Sequence, residues 1–215
     1  KEYISLNQQV TIRDEEMYTI QSSQKGLLDA YNSGSFSRTK QSLIELCTAI
    51  KPFLPLTEPI ILPDTVNICL GYLRRNQSPS TSIGDMDPVF INNVSRLIFY
   101  LSESSSIYFQ YFAVLEFKNI LINHIKNSNH FSLLIDLFSI SINILQNPQF
   151  SIIFQSFDFS VLPPLLEKIN EFGEKCLYDP NYLIELQKCI CEFLRLMTSH
   201  PLNAFSWKCC YDSII

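Results

Sequence analysis

The feature that most constrains the fold of this chain is the regular spacing of its apolar helical segments. One set of segments ends near Leu73, Ile125 and Ile169, at intervals of about 52 and about 44 residues. A second set ends near Ile50, Leu101, Leu145 and Met197, at intervals of about 51, about 44 and about 52 residues. Two independent series with matching intervals indicate an internal repeat, in which each unit buries its apolar faces against its neighbours.

The stretch from Phe150 to Met197 shows what one unit contains. It reads as a short helix, a sharp bend, a helix opened by Pro163-Pro164 and a longer apolar helix. Proline is accepted in the first turn of a helix, because its missing N–H would be unpaired there in any case. Apolar residues recur at spacings of three and four rather than two, so the sequence predicts an all-α fold.

Three segments carry a resemblance to a known family. SVLPPLLEKI resembles the armadillo segment in which a short helix turns into a proline-marked second helix, and SISINIL resembles the end of the third helix. LLDAYNSGSFSRTKQSLIELCTAI, followed by EPIILPDTVNICLGYL, resembles the opening repeats of importin-α-like proteins. The resemblance covers residues 27–213. It implies an armadillo-like right-handed α-solenoid of about four repeats, with residues 1–13 as an N-terminal arm and 14–215 as a single domain.

Capping residues predict where the helices begin. We expect Asp14 to cap a helix that runs to Tyr31 and is broken by Asn32-Ser33-Gly34. The later helices are expected to start at Ser37, Asp64, Asp87-Pro88 and Ser128 or Asn129. Leu202 to Ile215 is expected to form one more short helix, with Trp207 covering the end of the core. Leu165 and Leu194 are expected between repeats.

Composition excludes several classes of function. The net charge is −5, and no run of basic residues is longer than Arg74-Arg75, which disfavours nucleic-acid binding. The longest near-apolar stretch, LLIDLFSISINIL, is about half of a membrane span and contains Asp136. There is no signal-peptide pattern, and the seven cysteines lie mostly in apolar runs, which favours a reducing, cytoplasmic location.

Polar residues form stripes on otherwise apolar helices, at steps of three and four. The stripes are Asn92, Ser95 and Ser102; Asp136, Ser139, Asn143 and Gln146; and Asn181, Glu185, Lys188, Glu192 and Arg195. Third helices line a concave groove in armadillo proteins, so the resemblance makes these residues candidates for a partner-binding groove. The alternative is the solvated face that any surface helix presents.

The family's ladder of tryptophan and asparagine gives a finer comparison. By resemblance, asparagines there hold the backbone of an extended basic peptide, and tryptophans flank its lysines. The asparagine position holds Thr48, Phe99, Asn143 and Arg195, and the tryptophan position holds Ile44, Ser95, Ser139 and Cys191. Only Asn143 matches. Arg195 is expected to repel a lysine-rich peptide, whereas Asp136, Glu185 and Glu192 are expected to attract one.

The sequence offers little for catalysis or metal binding. Cys189 and Cys191 point apart on a helix, and Cys209 and Cys210 also diverge, so we predict no zinc site. His124, His130 and His200 lie at predicted helix ends, where the negative end of the helix dipole favours a histidine. No phosphate loop or paired metal-binding histidines appear. We therefore predict no catalytic residue, metal or cofactor.

These observations predict a protein–protein interaction module that binds a partner peptide or helix in a groove. The predicted groove residues are Asn92, Ser95, Phe99, Asp136, Ser139, Asn143, Gln146, Lys188, Glu192 and Arg195. The resemblance favours a nuclear-transport adaptor that shuttles between cytoplasm and nucleus, and a cytoskeletal or signalling scaffold is the first alternative. A non-repeat helical enzyme or enzyme regulator is the second; a deep enclosed pocket would favour it, and a long open groove would favour the adaptor.

Overall fold

The structure is a computed structural model of the 215-residue chain. It describes residues 14–54, 56, 60–75, 88–104, 108–114, 117–154, 157–175 and 179–199. These ranges contain no β-strand, which confirms the all-α prediction. Their helices are α1 (Asp14–Asn32), α2 (Phe36–Ile50), α3 (Pro63–Arg75), α4 (Pro88–Ser104), α5 (Phe109–Val114), α6 (Phe117–Asn127), α7 (Phe131–Gln146), α8 (Leu162–Glu174) and α9 (Pro180–Ser199). Short 3-10 turns span Lys51–Phe53, Ser151–Phe154 and Phe159–Val161.

Four of the longer helices pack in chain order. Helix α2 packs against α1 and α4, α4 packs against α7, and α7 packs against α9. Three of the intervening helices pack against this row: α3 contacts α4, α6 contacts α7, and α8 contacts α9. Helix α7 is central, and most of its residues are buried. As predicted, the helix that ends near Leu145 lies between the helices that end near Leu101 and Met197.

The turn between α1 and α2 depends on Gly34. Its φ of 69° lies in the left-handed region, which a residue with a Cβ atom rarely adopts. The N–H of Ser35 reaches back to the carbonyl of Ala30 at 3.1 Å, and that of Gly34 to Tyr31 at 3.0 Å. These bonds satisfy carbonyls at the end of α1. The predicted break at Asn32-Ser33-Gly34 therefore brings α2 back against α1.

A buried glutamine holds the segment before α3. The Gln24 side chain donates to the carbonyl of Ile60 at 2.9 Å and accepts the N–H of Leu62 at 2.7 Å. The Tyr108 hydroxyl accepts the intervening N–H of Ile61 at 3.4 Å. Gln24 and Tyr108 are each 1 % exposed, so buried polar side chains pair these backbone groups in place of water.

Helix starts agree with the capping predictions in part. Pro163 and Pro164 lie in the first turn of α8, as predicted. Helix α2 begins one residue before Ser37, with Ser35 as its N-cap. Helix α7 begins at Phe131 rather than at Ser128 or Asn129; the Ser128 Oγ accepts the N–H of His130 at 3.0 Å instead. Serine can bond nearby backbone in a turn as well as in a cap, so its presence locates a boundary only to within a few residues.

Phenylalanines fill the core between α7, α9 and the 3-10 turns. The ring of Phe193 lies 5.4 Å from Phe138, 5.6 Å from Phe154 and 5.1 Å from Phe157, between ring centroids in edge-to-face geometry. Leu165 is buried as predicted, whereas Leu194 is only partly buried. The correction follows from the helical period, because the buried side of α9 includes Phe193 and Met197 and Leu194 is turned away from its centre.

Two predictions lie outside the described residues: the arm 1–13, and the short helix 202–215 with Trp207. Among the helices that the structure describes, none combines the length and the apolar character needed to cross a membrane.

Candidate functional site

Polar side chains bridge α4 and α7 at three levels along their seam. Each bridge joins residues about 40 positions apart in the chain. The bridges are Ser132 Oγ to Asn92 Oδ1 at 3.2 Å, Ser95 Oγ to Asp136 Oδ2 at 2.8 Å, and Asn143 Nδ2 to Ser102 Oγ at 2.9 Å. The predicted stripes of these two helices therefore meet each other.

The middle bridge contains a buried carboxyl group. Asp136 is 2 % exposed and Ser95 is fully buried. Asp136 Oδ1 also lies 3.1 Å from a guanidinium nitrogen of Arg96. Burial raises the pKa of Asp136 to about 6, against the opposing effects of Arg96 and Ser95. Ionising this carboxyl group thus costs more free energy in the folded chain than in water, even with a cation and a hydroxyl beside it.

For Ser95 and Asp136 the structure corrects the groove prediction. Both were expected on an open surface, and both lie inside the α4–α7 seam, where a partner cannot touch them without separating the helices. A three-and-four spacing places residues on one side of a helix, but it does not say whether a neighbouring helix covers that side. Both residues therefore connect α4 to α7 and are not available to contact a partner.

Asn143 is partly exposed and has one atom free for a partner. Its Nδ2 donates to Ser102, whose hydroxyl lies 2.7 Å from the carbonyl of Phe99. Among the contacts of the described residues, its Oδ1 has no hydrogen-bond partner. The bond to Ser102 fixes the amide plane, and the remaining oxygen can accept an N–H.

Arg96 is the main residue that the stripe analysis missed. Its side chain is 47 % exposed, with its guanidinium paired to Asp136 and 5.7 Å from the ring centroid of Phe99. Phe99 itself is partly buried against the core. Arg96 covers Asp136 from the solvent side. No sequence signal singles out this pair, because its separation of about 40 residues resembles that of the neighbouring bridges only once the packing of α4 on α7 is known.

The seam between α7 and α9 has fewer polar contacts. Ser139 Oγ lies 3.7 Å from Cys189 Sγ. Gln146 and Lys188 are exposed. Arg195 donates to both carboxylate oxygens of Glu192, at 2.7 Å and 2.6 Å. Arg195 and Glu192 therefore engage each other, and Glu185 has no ion-pair partner among the described residues.

We call the partly exposed residues of these two seams the polar face. They are Asn92, Arg96, Phe99, Ser139, Asn143, Gln146, Glu185, Lys188, Glu192 and Arg195. At the other end of the helix row, an open cavity of about 520 Å³ lies between α1 and α2 and includes Tyr18, Ile44, Glu45 and Thr48. Ile44 and Thr48 are the first pair of residues in the sequence comparison with the tryptophan and asparagine ladder.

The histidines that the structure describes have structural surroundings. His124 is buried in the last turn of α6, with Nε2 2.9 Å from the carbonyl of Leu73, and burial lowers its pKa. His130 precedes α7 and so lies at the positive end of a helix dipole, opposite to the expectation. His200 lies outside the described residues.

Cysteines and acidic residues form no metal site in the described part of the chain. No group of three or more His, Cys, Asp and Glu residues there could hold a metal ion. Cys47, Cys69, Cys189 and Cys191 are free thiols. Burial raises the pKa of Cys47 to about 12, so this thiol stays protonated at neutral pH. Cys176, Cys209 and Cys210 lie outside the described residues.

Comparisons of the chain with protein-family models, with curated protein sequences and with solved structures found no match.

Proposed function

We propose that this chain is a protein-interaction module built as an armadillo-like right-handed α-solenoid of about four repeats. In this proposal α2, α4, α7 and α9 are the third helices of successive repeats. Their packing in chain order and the matching intervals of the two apolar series support it. Three polar bridges hold the α4–α7 contact within this row.

The proposed binding surface is the polar face, and the observation that carries it is the geometry of Asn143. An amide that is fixed by Ser102 and has a free carbonyl oxygen is suited to accept a backbone N–H of an extended peptide. Recognition of this kind does not depend on the side chains of the peptide. Flanking residues set the preference, and the unpaired Glu185 favours a partner with a basic side chain.

Within the class of interaction modules, a nuclear-transport adaptor remains our first proposal. The free Glu185 and the single asparagine at the family's ladder position support it. From the sequence, Arg195 is expected to repel a lysine-rich peptide. Its ion pair with Glu192 weakens this objection, because the carboxylate neutralises the charge of Arg195 locally. The face is proposed for binding rather than catalysis, since its Arg96, Glu192 and Arg195 are engaged in ion pairs.

Selection of a displayed library of random peptides on the full chain tests this proposal. Asn143→Ala should weaken the selected peptides about five- to a hundredfold, since losing such a hydrogen bond costs about 1–3 kcal/mol. Asn170→Ala is the matched control, because Asn170 is an exposed asparagine on α8. Titration calorimetry of the three proteins gives the affinities.

Two outcomes would contradict the proposal. One is that no peptide is enriched by the folded chain. The other is that the selected peptides bind Asn143→Ala and wild type equally. Thermal unfolding of Asn143→Ala distinguishes a binding defect from a folding defect, because we expect only a small change in stability from a partly exposed position.

A further inference from the structure

The Arg96–Asp136 pair lies at the boundary between the core and the solvent. Its carboxyl group is inside, with the side chain of Asp136 3 % exposed, and its guanidinium is at the surface, 47 % exposed. Ser95 Oγ occupies the second carboxylate oxygen at 2.8 Å. Asp136 belongs to α7, and Ser95 and Arg96 belong to α4. A single carboxyl group therefore connects two helices through one buried bond and one bond at the surface.

Groups on the other neighbouring elements do not compensate the charge of Asp136. Helix α9 contributes Glu185, whose negative charge raises the pKa of Asp136, and the thiol of Cys189. From α6, His124 is engaged with the carbonyl of Leu73. The 3-10 turn Ser151–Phe154, which also packs on α7, contains no titratable residue. Arg96 is thus the one cation that faces Asp136 among the described residues.

We propose that Ser95, Arg96 and Asp136 form a proton-operated clamp, which fixes Arg96 on the polar face and releases it when the carboxyl group takes up a proton from solvent. The ionised carboxylate accepts from both Ser95 and Arg96. The neutral carboxyl group still accepts from Ser95, but it no longer attracts the guanidinium. Helix α4 therefore stays attached to α7 while Arg96 becomes mobile.

The released guanidinium has another carboxylate within electrostatic range. Glu103 lies on the same helix; burial raises its pKa, and the charge of Arg96 opposes this rise. Release also leaves the polar face with one more positive charge. The clamp does not require the proposed peptide binding. Where both hold, a basic partner binds more weakly at acidic pH.

The direction of the effect on stability follows from the pKa. The pKa of Asp136 in the folded chain is about 6, above its ordinary value of 3.8. The folded state therefore binds the proton more tightly than the unfolded state does. The contribution of Asp136 to stability is greatest below pH 3.8 and is lost as the pH rises toward 6. The working range of the clamp is thus mildly acidic.

Carbon-13 NMR of the Asp136 carboxyl group in the full chain measures this titration directly. We expect a midpoint near pH 6 in wild type. Arg96→Gln removes the cation that favours the charged form, so its midpoint should rise by about 1 pH unit. Arg195→Gln is the matched control, because Arg195 pairs with Glu192 on α9, and its midpoint should equal that of wild type.

The Arg96 side-chain N–H signal reports the release itself. Because this exchange is base-catalysed and slows at acidic pH, it is compared with that of Asp136→Asn at the same pH. Wild-type Arg96 should exchange more slowly than Arg96 of Asp136→Asn above the Asp136 midpoint and equally fast below it. An Asp136 midpoint near 3.8, or an unchanged midpoint in Arg96→Gln, would overturn the clamp. Exchange of Arg96 that does not follow the titration would also overturn it. If Asp136→Asn fails to fold, the wild-type and Arg96→Gln titrations still decide.

Discussion

Gln24 is a single side chain that supports the path of a whole segment. It is buried in α1, and both ends of its amide bond the backbone before α3, at Ile60 and Leu62. Thr65 Oγ1 also lies 3.3 Å from its Oε1. A side chain with this role resembles any other polar helix residue in sequence, because its partners lie more than 30 residues away.

We predict that Gln24→Ala destabilises the chain by about 2–4 kcal/mol, because it leaves the part-buried carbonyl of Ile60 and N–H of Leu62 without their partner. Gln21→Ala, one turn earlier on the exposed side of α1, is the control and should change stability by less than about 0.5 kcal/mol. Urea denaturation measures both. Equal effects would mean that water replaces the Gln24 amide.

For single residues, the sequence predicts which polar side chains share one side of a helix better than it predicts which of them are exposed. The stripe spacing brings Asn92, Asp136 and Asn143 to one seam, because helical periodicity is local information. It could not show that Asp136 is covered, since that depends on how closely α4 approaches α7. Arg96 was missed because a lone arginine beside a stripe is ordinary in any surface helix.

Helix α9 illustrates packing at the scale of an element. Its buried side contains Leu186, Ile190, Phe193 and Met197, at spacings of three and four. Phe193 contacts one aromatic ring from α7, one at the end of the 3-10 turn Ser151–Phe154 and one just after that turn. One helix thereby closes the core over two preceding elements, and its stability depends on that contact rather than on its own helical propensity.

Phe193→Ala should therefore destabilise the chain by about 3–5 kcal/mol, through lost burial and the cavity that remains. Leu194→Ala, at the next position but only partly buried, should cost clearly less. Thermal and urea unfolding of the two variants provide the comparison. A larger loss for Leu194→Ala would show that the face of α9 has been assigned wrongly.

Elements were easier to predict than their boundaries. The proline pair fixes the start of α8, because only a first turn accepts both rings without losing a hydrogen bond. The starts of α2 and α7 shifted by one to three residues, because serine and asparagine serve turns as well as caps. The turn at Gly34 was predictable because glycine, unlike serine or asparagine, has a specific role there: its φ of 69° favours a residue without a Cβ atom.

For the whole molecule, the repeat spacing carried the most information. Two apolar series with matching intervals predicted which helices would neighbour one another, and α7 does lie between α4 and α9. Handedness, repeat number and partner depend on small rotations between units and on surface chemistry, which spacing does not encode. These features enter our account as proposals that rest on the polar face and its bridges.

Hydrogen exchange of the full chain, alone and with a selected peptide, tests the central claim that the polar face is the binding surface. We predict that the peptide slows exchange mainly in α4, α7 and α9, and most near Asn143. Exchange in α1, α3, α6 and α8 should change little. Protection concentrated on those four helices, with none in α7, would contradict the account.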